Sequence, residues 1–168
     1  MMATPHMLTG AVIGSTMPRR PWLALPLAFA SHFVLDVVPH VDSHTYFGVA
    51  EGGPTVPEAA IGIADFVLGW VVVVVLMRAH PWRATIWWAA FFGIAIDVVY
   101  LIPPLGTWLR MWGPTAWLDS FHHGIQPRLT PDQWLLGFGT QVVVIVAAVW
   151  VLVRQRAHQT AQEKSPDS

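Results

Sequence analysis

Ser31-His-Phe-Val-Leu-Asp-Val-Val-Pro-His-Val-Asp42 ends an apolar segment with two histidines and two carboxylates. His32 and Asp36 are four positions apart, so on a helix both side chains lie on one face. Pro39 disfavours helix at the residue before it and removes a hydrogen-bond donor. We therefore predict that the helix ends at Val38, with the histidine and the aspartate on its last turns.

His40 and Asp42 lie beyond this predicted end, where the chain can fold back toward Asp36. Imidazole and carboxylate groups that converge on one point are typical ligands of zinc, iron and manganese. The alternative is a His–Asp pair hydrogen-bonded inside a helix bundle. Four such residues between positions 32 and 42 of an apolar sequence favour the metal site.

The composition indicates a membrane protein. Only 11% of the 168 residues are charged, ten are tryptophan, and the mean hydropathy is +0.50. Segments 59–77, 84–102 and 134–153 are each close to the roughly 20 residues that a helix needs to cross a bilayer, and 22–38 is slightly shorter.

The absence of cysteine excludes disulfides and thiolate ligands. A net charge of −1 without a basic stripe gives no support to nucleic-acid binding.

Capping signals and prolines predict five helices, near 5–17, 22–38, 58–77, 82–102 and 131–154. The first is short, and residues 105–130 form a Trp-rich connection with an interfacial helix around 107–112. The predicted fold is thus all-α, an integral membrane bundle of about five helices in one domain over residues 1–154. A polar, disordered cytoplasmic tail is predicted for residues 155–168.

Basic residues predict the orientation of this bundle. Seven of the nine Lys and Arg residues fall on one side of the predicted topology, with only Arg110 and Arg128 on the other. The positive-inside rule then places the N-terminus and the loops 39–57 and 103–130 on the non-cytoplasmic side of the membrane.

Most ionisable residues of the predicted helices and of the 103–130 loop gather toward that outer face: His6, Asp36, Asp65, Asp97, His122 and His123. A carboxylate within the hydrocarbon costs about 2.5–3.5 kcal/mol, so it needs a partner or a polar cavity. Asp65 and Asp97 are therefore either parts of a site or a hydrogen-bonded pair that fixes helix packing. The helix stripes that carry them also carry glycines, which allow helices to approach closely.

These residues divide into predicted ligands and predicted acid–base groups. Adjacent histidines in a loop cannot easily point the same way, so we expect one of His122 and His123 to be a ligand and the other to act in proton transfer. The predicted metal ligands are His6, His32, Asp36, Asp97 and His123. The predicted catalytic residues are His40, Asp65 and His122. The ion is most simply zinc, with manganese and iron as alternatives, and one or two ions are expected.

An early histidine, the run from His32 to Asp42, the intramembrane aspartates and a late loop histidine together resemble the bacterial inner-membrane metal-dependent hydrolases of the YdjM-like family. The resemblance extends from His6 to about His123 and implies hydrolysis at a His/Asp metal site. A more distant resemblance is to zinc-dependent phospholipase C and S1/P1-type nucleases, which also use His-x-x-x-Asp followed by proline and histidine.

The expected function is that of a membrane-embedded metal-dependent hydrolase whose site lies near the non-cytoplasmic surface. A lipid or lipid-linked phosphoester is the expected substrate class, and membrane lipid is the expected partner. Two alternatives stay open: a metal-ion or proton transporter, and a non-catalytic membrane protein with a structural metal. The sequence leaves the oligomeric state and the exact substrate open.

Overall fold

A computed structural model describes residues 1–41, 56–127 and 129–164. These residues form helices and contain no β-strand, so the all-α prediction is confirmed for the described part of the chain. The helices are α1 (Ala3–Thr16), α2 (Pro21–Asp36), α3 (Val56–Met77), α4 (Arg83–Phe92), α5 (Ala95–Leu101), α6 (Pro103–Met111), α7 (Gly113–Ile125) and α8 (Trp134–Lys164), with a 3-10 turn over Pro131–Gln133.

The short first helix is the centre of the bundle. It packs against α2, α3, α4 and α8, and Met7, Leu8 and Ala11 have no exposed surface. Close packing against α4 requires glycine, because a Cβ atom at Gly14 would lie 2.8 Å from the Cβ of Ala89. Gly10, four residues earlier, likewise faces the Ala89 backbone, so α1 and α4 touch along a seam.

The region predicted as one helix over 82–102 is two helices. Between them, the Gly93 N–H donates to the Ala89 carbonyl at 3.0 Å, and the Ile94 N–H donates to the Phe91 carbonyl at 3.0 Å. The second bond spans three residues, so the helix tightens locally and α4 ends before α5 starts. This break brings Asp97, on α5, toward the end of α2.

The connection predicted over 105–130 is largely helical. The single interfacial helix expected around 107–112 corresponds to α6, and a second helix, α7, follows it. Trp112 has an extended backbone (φ −83°, ψ 119°) that separates the two, and each begins with proline in its first turn. The α6–α7 pair carries the late histidines back to the end of α2.

Two described helices are long and apolar enough to cross a membrane, over Ala59–Met77 and Trp134–Gln159. The other predicted spans are shorter: 14 residues in α1, 16 in α2, and 10 and 7 in α4 and α5.

The last helix is longer than predicted, since α8 continues to Lys164 beyond the expected end at 154. The polar residues there are good helix formers and extend the helix.

Candidate metal centre

Five titratable side chains meet at one end of the bundle. They come from the start of α1, the end of α2, the middle of α5 and the end of α7: His6, His32, Asp36, Asp97 and His122. Two groups of three among them could hold a metal ion, since their ligand atoms lie within 4.8 Å of one another. The groups are His6, His32 and Asp36, and His32, Asp97 and His122.

The tightest part of this cluster is a triangle of two imidazoles and one carboxylate. Asp36 Oδ2 lies 3.1 Å from His32 Nε2 and 2.9 Å from His122 Nε2. The two imidazole nitrogens are 3.0 Å apart. All three residues are buried, with at most 3% of their surface exposed. Helix spacing places the histidine and aspartate of α2 on one face, and α7 supplies the third vertex.

A backbone carbonyl orients the His32 ring. Gly93 O lies 2.9 Å from His32 Nδ1, and a carbonyl can only accept, so Nδ1 carries the hydrogen. In the neutral ring Nε2 then has a free lone pair that faces the triangle. Metal-binding histidines commonly have this second hydrogen bond, which fixes the tautomer and the ring orientation. The helix break at Gly93 leaves that carbonyl available to the ring.

Asp97 stands beside the triangle and is the most accessible residue of the cluster. Its Oδ1 lies 3.6 Å from His32 Nε2 and 3.5 Å from His122 Nε2, and 31% of the side chain is exposed. Four ligands at 2.0–2.1 Å from a tetrahedral zinc ion are about 3.3 Å from one another. The three edges of the triangle, 2.9 to 3.1 Å, come within about 0.4 Å of this spacing, and Asp97 Oδ1, 3.5 and 3.6 Å from the two imidazole nitrogens, lies beside the fourth position. The donor set therefore fits a zinc-sized ion in size and in chemistry.

His6 lies behind this triangle. Its ring stacks on His32 with centroids 4.1 Å apart, and its Nε2 is 3.2 Å from Asp36 Oδ1, the oxygen that faces away from His122. The Met1 amine is 3.2 Å from the same oxygen. Within the described residues, neither ring nitrogen of His6 has hydrogen-bond geometry to a partner. Because the His32 Nε2 has one lone pair, it can serve only one of the two candidate groups at a time.

The acceptor atoms of the triangle face one another, so a positive charge between them would stabilise the arrangement. Asp36 Oδ2 is an acceptor, His32 Nε2 carries a lone pair in the neutral ring, and the Gln126 amide nitrogen lies 3.1 Å from His122 Nε2, as a donor to it would. Electron pairs facing each other at about 3 Å in a buried place repel unless a positive charge lies between them. A proton shared by the triangle or a metal ion would supply that charge.

No family model, curated protein or solved structure matches this chain. The likeness to the YdjM-like hydrolases therefore stays a prediction, and the residues of the cluster are the basis for the function.

The structure does not bring every predicted site residue to the cluster. Asp65 Oδ2 accepts a hydrogen bond from the Thr4 backbone N–H at 3.0 Å, and the Thr4 hydroxyl donates to the Asp65 carbonyl at 2.8 Å. A carboxylate at a helix N-terminus satisfies free N–H groups and complements the helix dipole. Asp65 thus holds the start of α1 instead of facing the imidazole–carboxylate triangle.

His40 and His123 also lie outside the two candidate groups. His40 is buried, and its Nδ1 donates to the Val38 carbonyl at 2.7 Å. His123 is 61% exposed, and its Nδ1 lies 3.5 Å from Asp119 on the preceding turn. α7 turns His122 inward and His123 outward, so the predicted ligand His123 lies outside the cluster and the predicted acid–base residue His122 lies within it. Asp42 lies outside the described residues.

Gln126 reaches the cluster although no sequence pattern drew attention to it. It follows the last residue of α7, and its amide nitrogen lies 3.1 Å from His122 Nε2 and 3.4 Å from Asp36 Oδ2. The available signal was spacing, since a residue four positions after His122 lies on the same face of a helix. That signal needs the 113–125 helix, which the sequence did not predict.

Proposed function

We propose that this chain is a membrane-embedded metal-dependent hydrolase with a single catalytic zinc ion. One observation carries the proposal: three buried ligands, His32, Asp36 and His122, lie within 3.1 Å of one another, and a partly exposed carboxylate, Asp97, stands beside them. Three protein ligands with one accessible position are the arrangement of catalytic zinc sites, whereas structural sites are closed by four.

The ligand types favour zinc over the other candidates. Two imidazoles and a carboxylate suit zinc in tetrahedral geometry, and the spacing of the vertices matches its bond lengths. Manganese and iron accept the same donors but prefer additional ligands. Zinc supplies a Lewis acid that acidifies water and polarises the bond to be cleaved.

Residues of the protein would accept the proton, position the ligands and exclude bulk water. Asp97, at the exposed edge, is placed to accept the proton of an attacking water, because an ionised carboxylate is an acceptor with room for that proton. His6 packs behind Asp36, with its Nε2 3.2 Å from the second carboxylate oxygen, and would limit the movement of that side chain. Burial of the triangle excludes bulk water and strengthens each of these interactions.

The surface of the two long helices supports the membrane assignment. Of the most apolar windows in α3 and α8, only 17% and 22% is buried inside the protein. A core helix of a soluble protein would be mostly buried, whereas here large side chains such as Ile63, Val67 and Val143 are at least half exposed. Lipid would cover these faces. The shorter α1, α2 and α4–α5 would then be held within the bilayer by packing against them.

Charge placement supports a non-cytoplasmic site. The basic residues gather at the end of the bundle opposite the metal centre, where the Arg19 guanidinium lies 6.0 Å from the Trp82 ring and Arg156 donates to the Val75 carbonyl at 3.4 Å. By the positive-inside rule this end faces the cytoplasm. The centre would then open at the outer surface of a bacterial-type inner membrane, where a lipid or lipid-linked phosphoester is the substrate class within reach.

The core argues against a transporter. A conducting path from the centre to the basic end would need polar groups between them. The described residues include a cluster of buried apolar side chains, which such a path would have to pass without a ligand: Leu8, Ala11, Val73, Met77, Ile86, Ala90, Ala148 and Leu152. The exposed carboxylate of Asp97 likewise favours a reactive ion over a structural one.

The experiment is a hydrolase assay on zinc-loaded protein in phospholipid vesicles, with phosphomonoester, phosphodiester and phospholipid substrates. Asp97→Asn is the informative variant, because it keeps the shape and hydrogen bonds of the side chain but removes its charge and basicity. We expect zinc-dependent hydrolysis in the wild type and a loss of at least about tenfold in Asp97→Asn. Zinc-loaded wild type that cleaves none of these substrates would contradict the hydrolase assignment.

A further inference from the structure

Gln126 is a polar residue at the edge of the metal centre that the proposed reaction does not use. It is half-buried, whereas His32, Asp36 and His122 are buried. Its amide nitrogen lies 3.1 Å from His122 Nε2 and 3.4 Å from Asp36 Oδ2. These two atoms are also two of the three corners of the triangle that would bind the ion.

A metal ion and this amide compete for the same electron pairs. The lone pair of an imidazole nitrogen can either bind a cation or accept a hydrogen bond, so a bound ion takes the His122 acceptor away from Gln126. The same ion binds the Asp36 oxygen that is the amide's other neighbour. The carboxylate oxygen keeps a second lone pair and can still accept one N–H, but the N–H that faced His122 would lose its acceptor, in a partly buried place where an unsatisfied donor is costly.

We infer that Gln126 is a substrate-binding residue, whose amide N–H groups hydrogen-bond an oxygen of the substrate next to the metal. The inference rests on the proposed function, since it supposes an ion in the triangle. An uncharged donor at this position suits an oxyanion, because it stabilises negative charge without repelling the cation. The ligand chemistry is that of a phosphoryl or carboxyl oxygen.

Inorganic phosphate is the probe, because it presents such oxygens and needs no turnover. Zinc is titrated first into wild type, Gln126→Ala, Gln126→Glu and a control, Ser120→Ala. Phosphate is then titrated into each zinc-loaded protein by calorimetry. Ser120 is a matched control, since it is exposed on the same helix, where its hydroxyl donates to the Ala116 carbonyl at 3.0 Å. Gln126→Glu keeps the size of the side chain, in case alanine at this position disturbs α7.

We expect Gln126→Ala to bind zinc at least as tightly as the wild type, because the competing hydrogen bond is gone. It should bind phosphate about tenfold more weakly, the effect of one lost hydrogen bond to a charged group. Gln126→Glu should weaken phosphate further, because its carboxylate repels the anion. Ser120→Ala should match the wild type in both titrations.

Three results would overturn the inference. Phosphate affinity could be unchanged in both Gln126 variants, zinc-loaded wild type could bind no phosphate, or zinc affinity could fall together with phosphate affinity, which would make Gln126 a metal ligand. A wild type that hydrolyses nothing but binds phosphate through Gln126 would sink the hydrolase proposal and leave this binding site standing.

Discussion

Gly93→Ala should damage the fold and the metal centre together. A Cβ atom at position 93 would lie 2.5 Å from the His6 carbonyl oxygen, and ordinary contact begins at 3.4 Å, so the two backbones must separate by about 0.9 Å. The His6 carbonyl carbon and the Ala90 carbonyl oxygen are also close, at 3.2 and 3.3 Å. Backbone atoms on both sides leave no flexible side chain that could move away.

The size of the effect follows from what moves. Overpacking of this kind costs about 1–3 kcal/mol of stability. The shift also moves the Gly93 carbonyl, which accepts the His32 Nδ1–H. Loss of such a hydrogen bond to a metal-binding histidine typically lowers metal affinity about 10- to 100-fold. We expect both losses in one variant, measured by thermal unfolding of the metal-free protein and by zinc titration.

Two other glycines separate packing from metal binding. Gly62→Ala has nothing within 4 Å and should stabilise α3 by about 0.5–1 kcal/mol, with zinc affinity unchanged. Gly14→Ala meets Ala89 and Ile86 in the same helix seam, two turns away from His6. It should lower stability as Gly93→Ala does but change zinc affinity much less. A Gly93→Ala protein with wild-type stability and zinc affinity within about twofold would refute this account of the helix break.

Three further predictions follow from single contacts. Asp65→Asn should lower the thermal midpoint, because it caps α1 more weakly. Its zinc affinity per folded molecule should fall less than that of Asp97→Asn, and equal losses would place Asp65 in the metal centre. Burial lowers the pKa of His80, whose Nδ1 accepts the Trp82 N–H at 3.0 Å, so its stabilising contribution is present above about pH 6.5 and is lost as the pH falls. Wild type should therefore lose more stability than His80→Asn between about pH 7 and 5, and parallel melting curves would contradict this. In intact cells an impermeant thiol reagent should label Ser120→Cys but not His158→Cys in this cysteine-free chain, and the reverse pattern would place the centre in the cytoplasm.

The sequence predicted the helical class and the α2 part of the site because both depend on local patterns. Apolar length and capping residues mark helices wherever the rest of the chain packs, and the spacing of His32 and Asp36 follows from helix geometry alone. His6 was predicted from the topology, through its place among the ionisable residues at the outer face.

The remaining parts depend on tertiary contacts that local patterns do not encode. The sequence around Gly93 is also compatible with one continuous apolar helix. The close approach of the His6 backbone to Gly93, which the sequence does not reveal, accounts for the glycine at the break. The inward turn of His122 depends on α7, which lies in a stretch that the tryptophans made look like a connection. Asp65 faces the start of α1, and only the packing of α1 against α3 distinguishes that role from metal binding.

The most direct test of the metal centre is the zinc content of purified protein, measured by elemental analysis for wild type, His32→Ala and Asp36→Ala at equal amounts of folded protein. His123→Ala is the matched control, because this neighbouring histidine is exposed and outside the cluster. The account predicts one zinc ion per chain in wild type and in the control, and loss of most of it in the other two variants. Full zinc occupancy in His32→Ala and Asp36→Ala, or a wild type that takes up no metal when zinc is supplied, would contradict it.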